Sequence, residues 1–110
     1  MTEAEFLAIY QQTLRCIEEI VEAAINDDDA DIDYESGNDM LTLSFDNKSV
    51  AIISRQSAIR QLWLAARSGG FHFDYDTNRE TWVCTTTQQT LAAMLQQICV
   101  DQGAVVIAFD

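Results

Sequence analysis

Carboxylates are the residues of this sequence whose type and spacing could do chemistry. Nine of the 18 acids lie between positions 18 and 35, and no Lys or Arg occurs from Cys16 to Asn47. We call these nine the acidic ridge: Glu18, Glu19, Glu22, Asp27, Asp28, Asp29, Asp31, Asp33 and Glu35. Crowded like charges destabilise a folded domain. Carboxylate oxygens also suit hard cations such as iron, manganese, calcium or magnesium.

Three interpretations of the acidic ridge are open from the residues alone. It could be a solvated face, a set of acids that keeps an edge strand from aggregating, or a site for cations or a basic partner. The local crowding exceeds what solubility needs, which favours the third interpretation. An EF-hand is excluded because, counted from Asp29, position 6 is Tyr34 instead of Gly and position 12 is Met40 instead of Glu.

A helix and a strand must position these acids. Thr2 and Glu5 have the spacing of a capping box, and apolar residues recur at helical spacing from Phe6 to Ala24. The pattern predicts a first helix that ends near Asn26, followed by a turn at 27–29. Residues 29–35 alternate acids with Ala, Ile and Tyr, which predicts a strand with one carboxylate face.

The middle of the chain predicts an antiparallel meander of short strands. Turn signals occur at 36–39, 46–49, 54–57, 69–70 and 76–79. A strand over Ile59–Arg67 would place Trp63, Gln61 and Arg67 on one face. The opposite, buried face of the sheet should carry Leu41, Leu43, Phe45, Phe71 and Phe73.

A second helix is predicted to begin within Thr85–Thr87 and to end before Gly103 as its C′ residue. The apolar tail, residues 104–109, should pack back on the fold. The expected fold is therefore an α+β two-layer sandwich with two helices on one face of a five- to six-stranded antiparallel sheet. Residues 1–110 form a single domain.

Composition narrows the class of function. The net charge of −12 makes nucleic acid and anionic membrane surfaces poor partners. The N-terminus lacks a basic n-region, so no secretory signal is expected. Cys16, Cys84 and Cys99 are far apart in sequence and predict buried thiols in a reducing cytoplasm. His72 is the single histidine, and no nucleophile motif accompanies it, so a sheet-surface role is expected and not catalysis.

The segment SRQSAIRQLWLAARSGGFHFDY (residues 54–75), between an acidic helix and strand and a capped second helix, resembles the frataxin family, in particular its bacterial branch. The resemblance covers essentially the whole chain. It implies a non-enzymatic, cytoplasmic, iron-binding protein of iron–sulfur cluster assembly. Members bind Fe2+ or Fe3+ weakly through exposed carboxylates, where other cations may substitute, and bacterial members contact the cysteine desulfurase as regulators or iron suppliers.

Site residues follow from the resemblance by position. The metal candidates are seven carboxylates of the ridge. The resemblance supplies six of them, Glu18, Glu19, Glu22, Asp29, Asp31 and Asp33, and Asp27 is included as an acid of the same ridge. The partner-binding candidates are Glu19, Glu22, Arg55, Gln56 and Trp63, the last exposed on the open sheet face. The chain departs from the family at Ser54, where Asn is usual, and at Ala23, where bacterial relatives continue the helix acids.

The resulting expectation is an iron-binding partner of the cysteine desulfurase, and possibly of the cluster scaffold protein, that is a monomer without metal. Two alternatives remain: an acidic protein-interaction module without a physiological metal role, and a weak ferroxidase-type activity at the ridge.

Overall fold

The computed structural model describes residues 1–109. In chain order the elements are α1 (Glu3–Asp28), β1 (Ile32–Gly37), β2 (Met40–Phe45), β3 (Val50–Gln56), a short 3-10 helix (Ser57–Ile59), β4 (Gln61–Ala66), β5 (Gly69–Asp76), β6 (Thr81–Cys84) and α2 (Leu91–Gly103). The six strands form one antiparallel sheet in the order β1-β2-β3-β4-β5-β6. Two helices cover one face of this sheet, which confirms the predicted fold class.

The start of α1 is as predicted and its end is not. Thr2 and Glu5 form the capping box, each side chain accepting from the other residue's backbone N–H at 3.1 Å. The helix runs to Asp28, where Asp29 adopts a left-handed conformation at φ 52°. The N–H of Ala30 then donates to Ala24 O at 3.2 Å, which satisfies carbonyls at the helix end. Asp27 and Asp28 are thus helical, and the strand starts at Ile32 and not at Asp29.

Two of the connections between strands show how the turns set the register of the sheet. Asn38 and Asp39, at φ 54° and 58°, make a two-residue turn, a conformation that these residue types tolerate. The predicted turn at Gly69-Gly70 is wrong: Ala66 pairs with Gly69, so 67–68 turn the chain and both glycines begin β5. This register places Leu62 opposite Phe73, and both are fully buried.

The ends of α2 also differ from the prediction. Thr90, and not a residue of 85–87, caps the helix by accepting from Ala93 N–H at 3.2 Å. Residues 85–89 instead turn the chain back against the end of β6, where Cys84 N–H donates to Gln89 O at 2.8 Å and Val83 forms an antiparallel bridge with Thr90. At the other end Gly103 is helical, and Ala104 takes the left-handed position at φ 53°.

The core lies between the helices and the sheet. The predicted sheet residues are buried there, except Phe71, which is only partly buried. Trp82 is buried and donates its indole N–H to Thr13 Oγ1 at 2.9 Å. Val105 and Ile107 of the tail are buried as expected. Cys84 and Cys99 are buried as well, but Cys16 is exposed, because it lies off the buried stripe of α1 defined by Leu14 and Ile17.

Candidate functional site

The helical part of the acidic ridge lies over β1. Glu19 and Glu22 are exposed on α1 and Glu18 is half-buried. Tyr34 of β1 faces them. The Glu22 carboxylate, as acceptor for the Tyr34 hydroxyl, raises the pKa of that hydroxyl, and desolvation and Glu18 act in the same direction. Two helix acids therefore stand beside the edge strand.

The strand part of the ridge lies on the other side of the sheet. Ile32 is buried and Tyr34 packs partly against the core, so the alternating Asp33 and Glu35 point to the open face. Asp29 caps α1, and Asp31 lies in the connection to β1. The acidic ridge thus wraps around the edge of the sheet, with helix acids on one side of β1 and strand acids on the other. It is not a single flat row.

No Lys or Arg of the described residues forms an ion pair with a ridge carboxylate. Within residues 1–109 the one ion pair joins Arg55 to Asp39 at 3.0 Å, and neither residue belongs to the ridge. Besides the Tyr34 hydroxyl, Glu22 accepts a long hydrogen bond from Asn26 Nδ2, at 3.4 Å, and neither partner is charged. None of the nine ridge carboxylates therefore has an ion-pair partner among residues 1–109.

The structure does not gather the metal candidates into one coordination site. Among the described residues, no group of three or more His, Cys, Asp or Glu side chains is arranged to hold a metal ion. Carboxylate oxygens are donors that hard cations such as iron prefer, but the seven side chains form no closed coordination cage within residues 1–109.

Arg55 and Gln56, the partner candidates from the loop, lie at the end of β3 and are exposed. Arg55 donates to Asp39 Oδ2 from Nε at 3.2 Å and Nη2 at 3.0 Å, and from Nη1 to Ser57 Oγ. Its guanidinium is therefore tied to the β1–β2 turn, outside the ridge.

Trp63 lies on the open sheet face as predicted, but it is half-buried and not exposed. His72 is its cross-strand partner, and the two rings stack with centroids 4.2 Å apart and 9° between planes. The indole N–H donates to Gln61 Oε1 at 3.0 Å, and Gln61 Nε2 donates to Asp74 Oδ1 at 3.1 Å. Sequence reasoning missed this cluster because a misplaced β4–β5 turn hid the pairing of Trp63 with His72.

Comparisons with known proteins bear on this arrangement. The family model described as a frataxin-like domain matches residues 1–104. The chain belongs to the frataxin-like family.

Named relatives of this frataxin-family chain cover almost its whole length. The iron-sulfur cluster assembly protein CyaY of Pseudomonas fluorescens strain Pf-5 is 44% identical over 110 residues, which is 100% of this chain and 96% of the relative. CyaY of Stutzerimonas stutzeri strain A1501 is 42% identical over 103 residues, or 94% of each chain. The solved structure of the frataxin from Psychromonas ingrahamii, of the CyaY family, matches with a TM-score of 0.88 at 30% identity, covering 100% of this chain and 99% of the other. The resemblance found in the sequence is confirmed.

Neither helix of this frataxin fold, over the described residues, combines the length and apolar character needed to cross a membrane.

Proposed function

We propose that this frataxin-family protein acts without catalysis of its own in iron–sulfur cluster assembly, as a regulator or iron-supplying partner of the cysteine desulfurase. The names of its relatives support the pathway. The acidic ridge, which has no ion-pair partners in the described chain, supports the proposed mechanism, since its carboxylates can hold iron as cargo and bind a basic partner surface.

The observation that carries the proposal is the charge imbalance at the ridge. No ridge carboxylate in the described chain has an ion-pair partner, while like charges at helical spacing repel by about 0.2–0.5 kcal/mol per pair. A cation or a basic surface that binds the ridge relieves this repulsion. The relief contributes to the free energy of binding.

The same geometry sets the character of iron binding. Exposed carboxylates remain hydrated and offer few ligands at any one point, so iron binds weakly, at several positions, and competes with other hard cations. A basic patch on the desulfurase uses the same acids, and complementary charge speeds the encounter. Iron and the desulfurase therefore compete for the helical part of the ridge.

The open sheet face supplies the second contact. Trp63 and Gln56 of this face contact the desulfurase or the cluster scaffold protein. Arg55 has the parity of the buried Ile53 and pairs with the buried Leu62, so it lies on the helix side of the sheet and would meet the partner from there. Tryptophan and arginine are among the residue types that most often dominate binding energy.

The test is a charge-matched pair of variants. Glu18→Gln, Glu19→Gln and Glu22→Gln together should weaken binding of anaerobic ferrous iron and of the desulfurase by about tenfold or more. The control combines Glu3→Gln, Glu80→Gln and Asp101→Asn, which removes the same charge at exposed positions outside the ridge. Unchanged affinities for both ligands in the ridge variant would remove the ridge from the mechanism.

A second candidate function is an acidic interaction module without a metal role. The lack of a preformed three-ligand group in residues 1–109 favours it. In that case, chelated protein and protein with ferrous iron would give identical NMR spectra over 18–35, while the desulfurase would still bind.

We also propose that the protein is cytoplasmic, monomeric without metal, and not a ferroxidase. Oxygen uptake after addition of ferrous iron should then be the same for the wild type and the ridge variant. Repeated turnover that the ridge variant loses would show an enzyme.

A further inference from the structure

The two edges of the sheet differ in whether the chain itself closes them. At β6, Val83 forms a β-bridge with Thr90, and Cys84 N–H donates to Gln89 O at 2.8 Å. At the other edge, β1 has six residues and, within residues 1–109, pairs with β2 alone. Within the described chain, Ile32–Gly37 makes no backbone hydrogen bond to any element other than β2. The edge of β1 is therefore open.

The hairpin shows which backbone groups point outward. Gly37 and Met40 flank the two-residue turn, and residues in this position exchange both backbone bonds. Since bonding alternates along an antiparallel strand, Asp33 and Glu35 bond to β2. The N–H and C=O groups of Ile32, Tyr34 and Ser36 then point away from the sheet, as a row of donors and acceptors for another strand.

Carboxylates border this row on both faces. Asp33 and Glu35 project from the open face of β1. On the helix side, Glu18 and Glu22 stand close enough to Tyr34 to raise the pKa of its hydroxyl. A strand laid along β1 would bring its alternating side chains against acids whichever way they pointed.

We propose that the open edge of β1 binds an extended basic segment of a protein partner as a seventh strand. This inference rests on the proposed function, whose basic partner it describes more closely: an extended stretch of Lys and Arg, paired by backbone hydrogen bonds. Edge pairing of this kind gives affinity through the main chain and specificity through alternate side chains. Basic side chains opposite Asp33 and Glu35 form favourable cross-strand pairs.

The same charges prevent pairing between two copies of this chain. Like charges directly opposite each other across two strands are destabilising. A second β1 would bring carboxylates against carboxylates on the open face and would meet Glu18 and Glu22 on the helix side. Pairing of β1 with a second β1 is therefore unfavourable, whereas pairing with a basic strand is favourable.

The test uses two synthetic peptides with one sequence, in which Arg and Lys alternate with Thr. One peptide has ordinary amides. The other carries N-methyl groups on alternate residues, which remove the donors along one edge and keep every charge. The ordinary peptide should bind about tenfold or more tightly than the methylated one. It should also slow amide hydrogen exchange at Ile32, Tyr34 and Ser36.

Charge dependence is tested with matched variants. Asp33→Asn with Glu35→Gln should weaken binding of the ordinary peptide several-fold, while Asp74→Asn with Glu80→Gln, the same charge change away from β1, should leave it unchanged. Equal affinity of both peptides, or no protection of the three amides, would overturn edge pairing. That result would leave the proposed function standing. The proposed function fails only if the ridge variant binds iron and the desulfurase as tightly as the wild type does.

Discussion

Gly103 shows how one missing side chain sets the position of a helix. A Cβ at this position would lie 2.3 Å from Cδ1 of Phe45, far inside contact distance. The end of α2 can approach β2 this closely only because residue 103 is glycine. The sequence suggests a helix-ending glycine, but the contact shows that its role is close packing.

Gly103→Ala should therefore destabilise the protein. Alanine gains about 1 kcal/mol in helix propensity, but overpacking against a buried ring costs about 1–3 kcal/mol, so we expect a net loss. Gly37→Ala is the control, because its Cβ would meet no atom within 4 Å. Urea denaturation of the two variants measures the difference, and a more stable Gly103→Ala would refute the packing argument.

The three cysteines should differ sharply in reactivity. Cys16 is exposed and the other two are buried. Burial raises the pKa of Cys99 to about 11, which leaves little thiolate to react. Desolvation acts in the same direction on Cys84, but hydrogen bonds with Thr86 and Thr87 together outweigh it and lower the pKa of that thiol to about 7. The side chain of Cys84 is fully buried and therefore out of reach of a reagent. A thiol reagent added to native protein should modify Cys16 first. Cys16→Ser should abolish this fast phase and Cys99→Ser should keep it. A fast phase that persists in Cys16→Ser would place a reactive thiol elsewhere.

Tyr10 links stability to alkaline pH. Its hydroxyl donates to Asp39 O at 2.5 Å. Burial, and secondarily the Asp39 charge, raises its pKa well above the ordinary value of about 10. The folded state therefore keeps this proton longer than the unfolded chain, so the contribution is complete below about pH 10 and is lost as pH rises further.

The variant Tyr10→Phe should lose less stability than the wild type between about pH 9 and pH 11. At neutral pH it should be less stable by about 0.5–1.5 kcal/mol, because one hydrogen bond is lost. Denaturant unfolding at a series of pH values checks both effects. Parallel pH curves for the two proteins would contradict the assignment.

At the scale of elements, Gln102 joins α2 to two turns of the sheet. Its buried side chain accepts from Arg67 N–H at 2.9 Å and donates to Ser49 Oγ at 3.1 Å and Val50 O at 3.2 Å. Arg67 Nη2 donates to Asp101 O at 3.4 Å, so this side chain points to the helix layer. The prediction that Arg67 lies on the open face with Trp63 is therefore wrong.

Gln102→Leu removes the acceptor of Arg67 N–H and the amide that donates to Val50 O, while the Ser49 hydroxyl keeps its bond to Asn47 Oδ1. The change should cost about 2–4 kcal/mol of unfolding free energy. Gln97→Leu changes the same residue type on an exposed face of the same helix and should cost no more than about 0.5 kcal/mol. Thermal and denaturant unfolding measure both. Similar losses in the two variants would mean that Gln102 does not connect these elements.

Periodicity identified the elements, but contacts between distant residues determined where they end. The alternation of Leu41, Leu43 and Phe45 and the helical spacing of α1 depend only on which face is buried, and both can be predicted from sequence. The N-cap of α2 falls at Thr90 because the turn over 85–89 brings Gln89 and Thr90 back against the end of β6. The residue types of the ridge could be predicted from the sequence. The placement of helix acids on one side of β1 and strand acids on the other could not, because it depends on where β1 begins.

At the scale of the whole molecule, the acidic ridge lowers stability. Replacing Glu18, Glu19 and Glu22 by Gln removes like-charge pairs at helical spacing and should raise the free energy of unfolding by about 0.5–1 kcal/mol at low salt. The gain should shrink in concentrated salt, where the Debye length falls to about 3 Å.

The control variant with changes at Glu3, Glu80 and Asp101 should stay near the wild type. Its two helix-dipole effects oppose each other, since Glu3 is at the start of α1 and Asp101 near the end of α2. Equal stabilisation of both variants would mean that net charge, and not crowding at the ridge, determines the effect.

The central claim is that iron and the cysteine desulfurase use one surface. The most direct measurement is a residue-resolved NMR titration of the same labelled protein, first with anaerobic ferrous iron and then with the desulfurase. The account predicts that both footprints cover the α1 acids and β1, and that iron is displaced as the desulfurase binds. Separate footprints, or iron and desulfurase bound together without competition on 18–35, would contradict it.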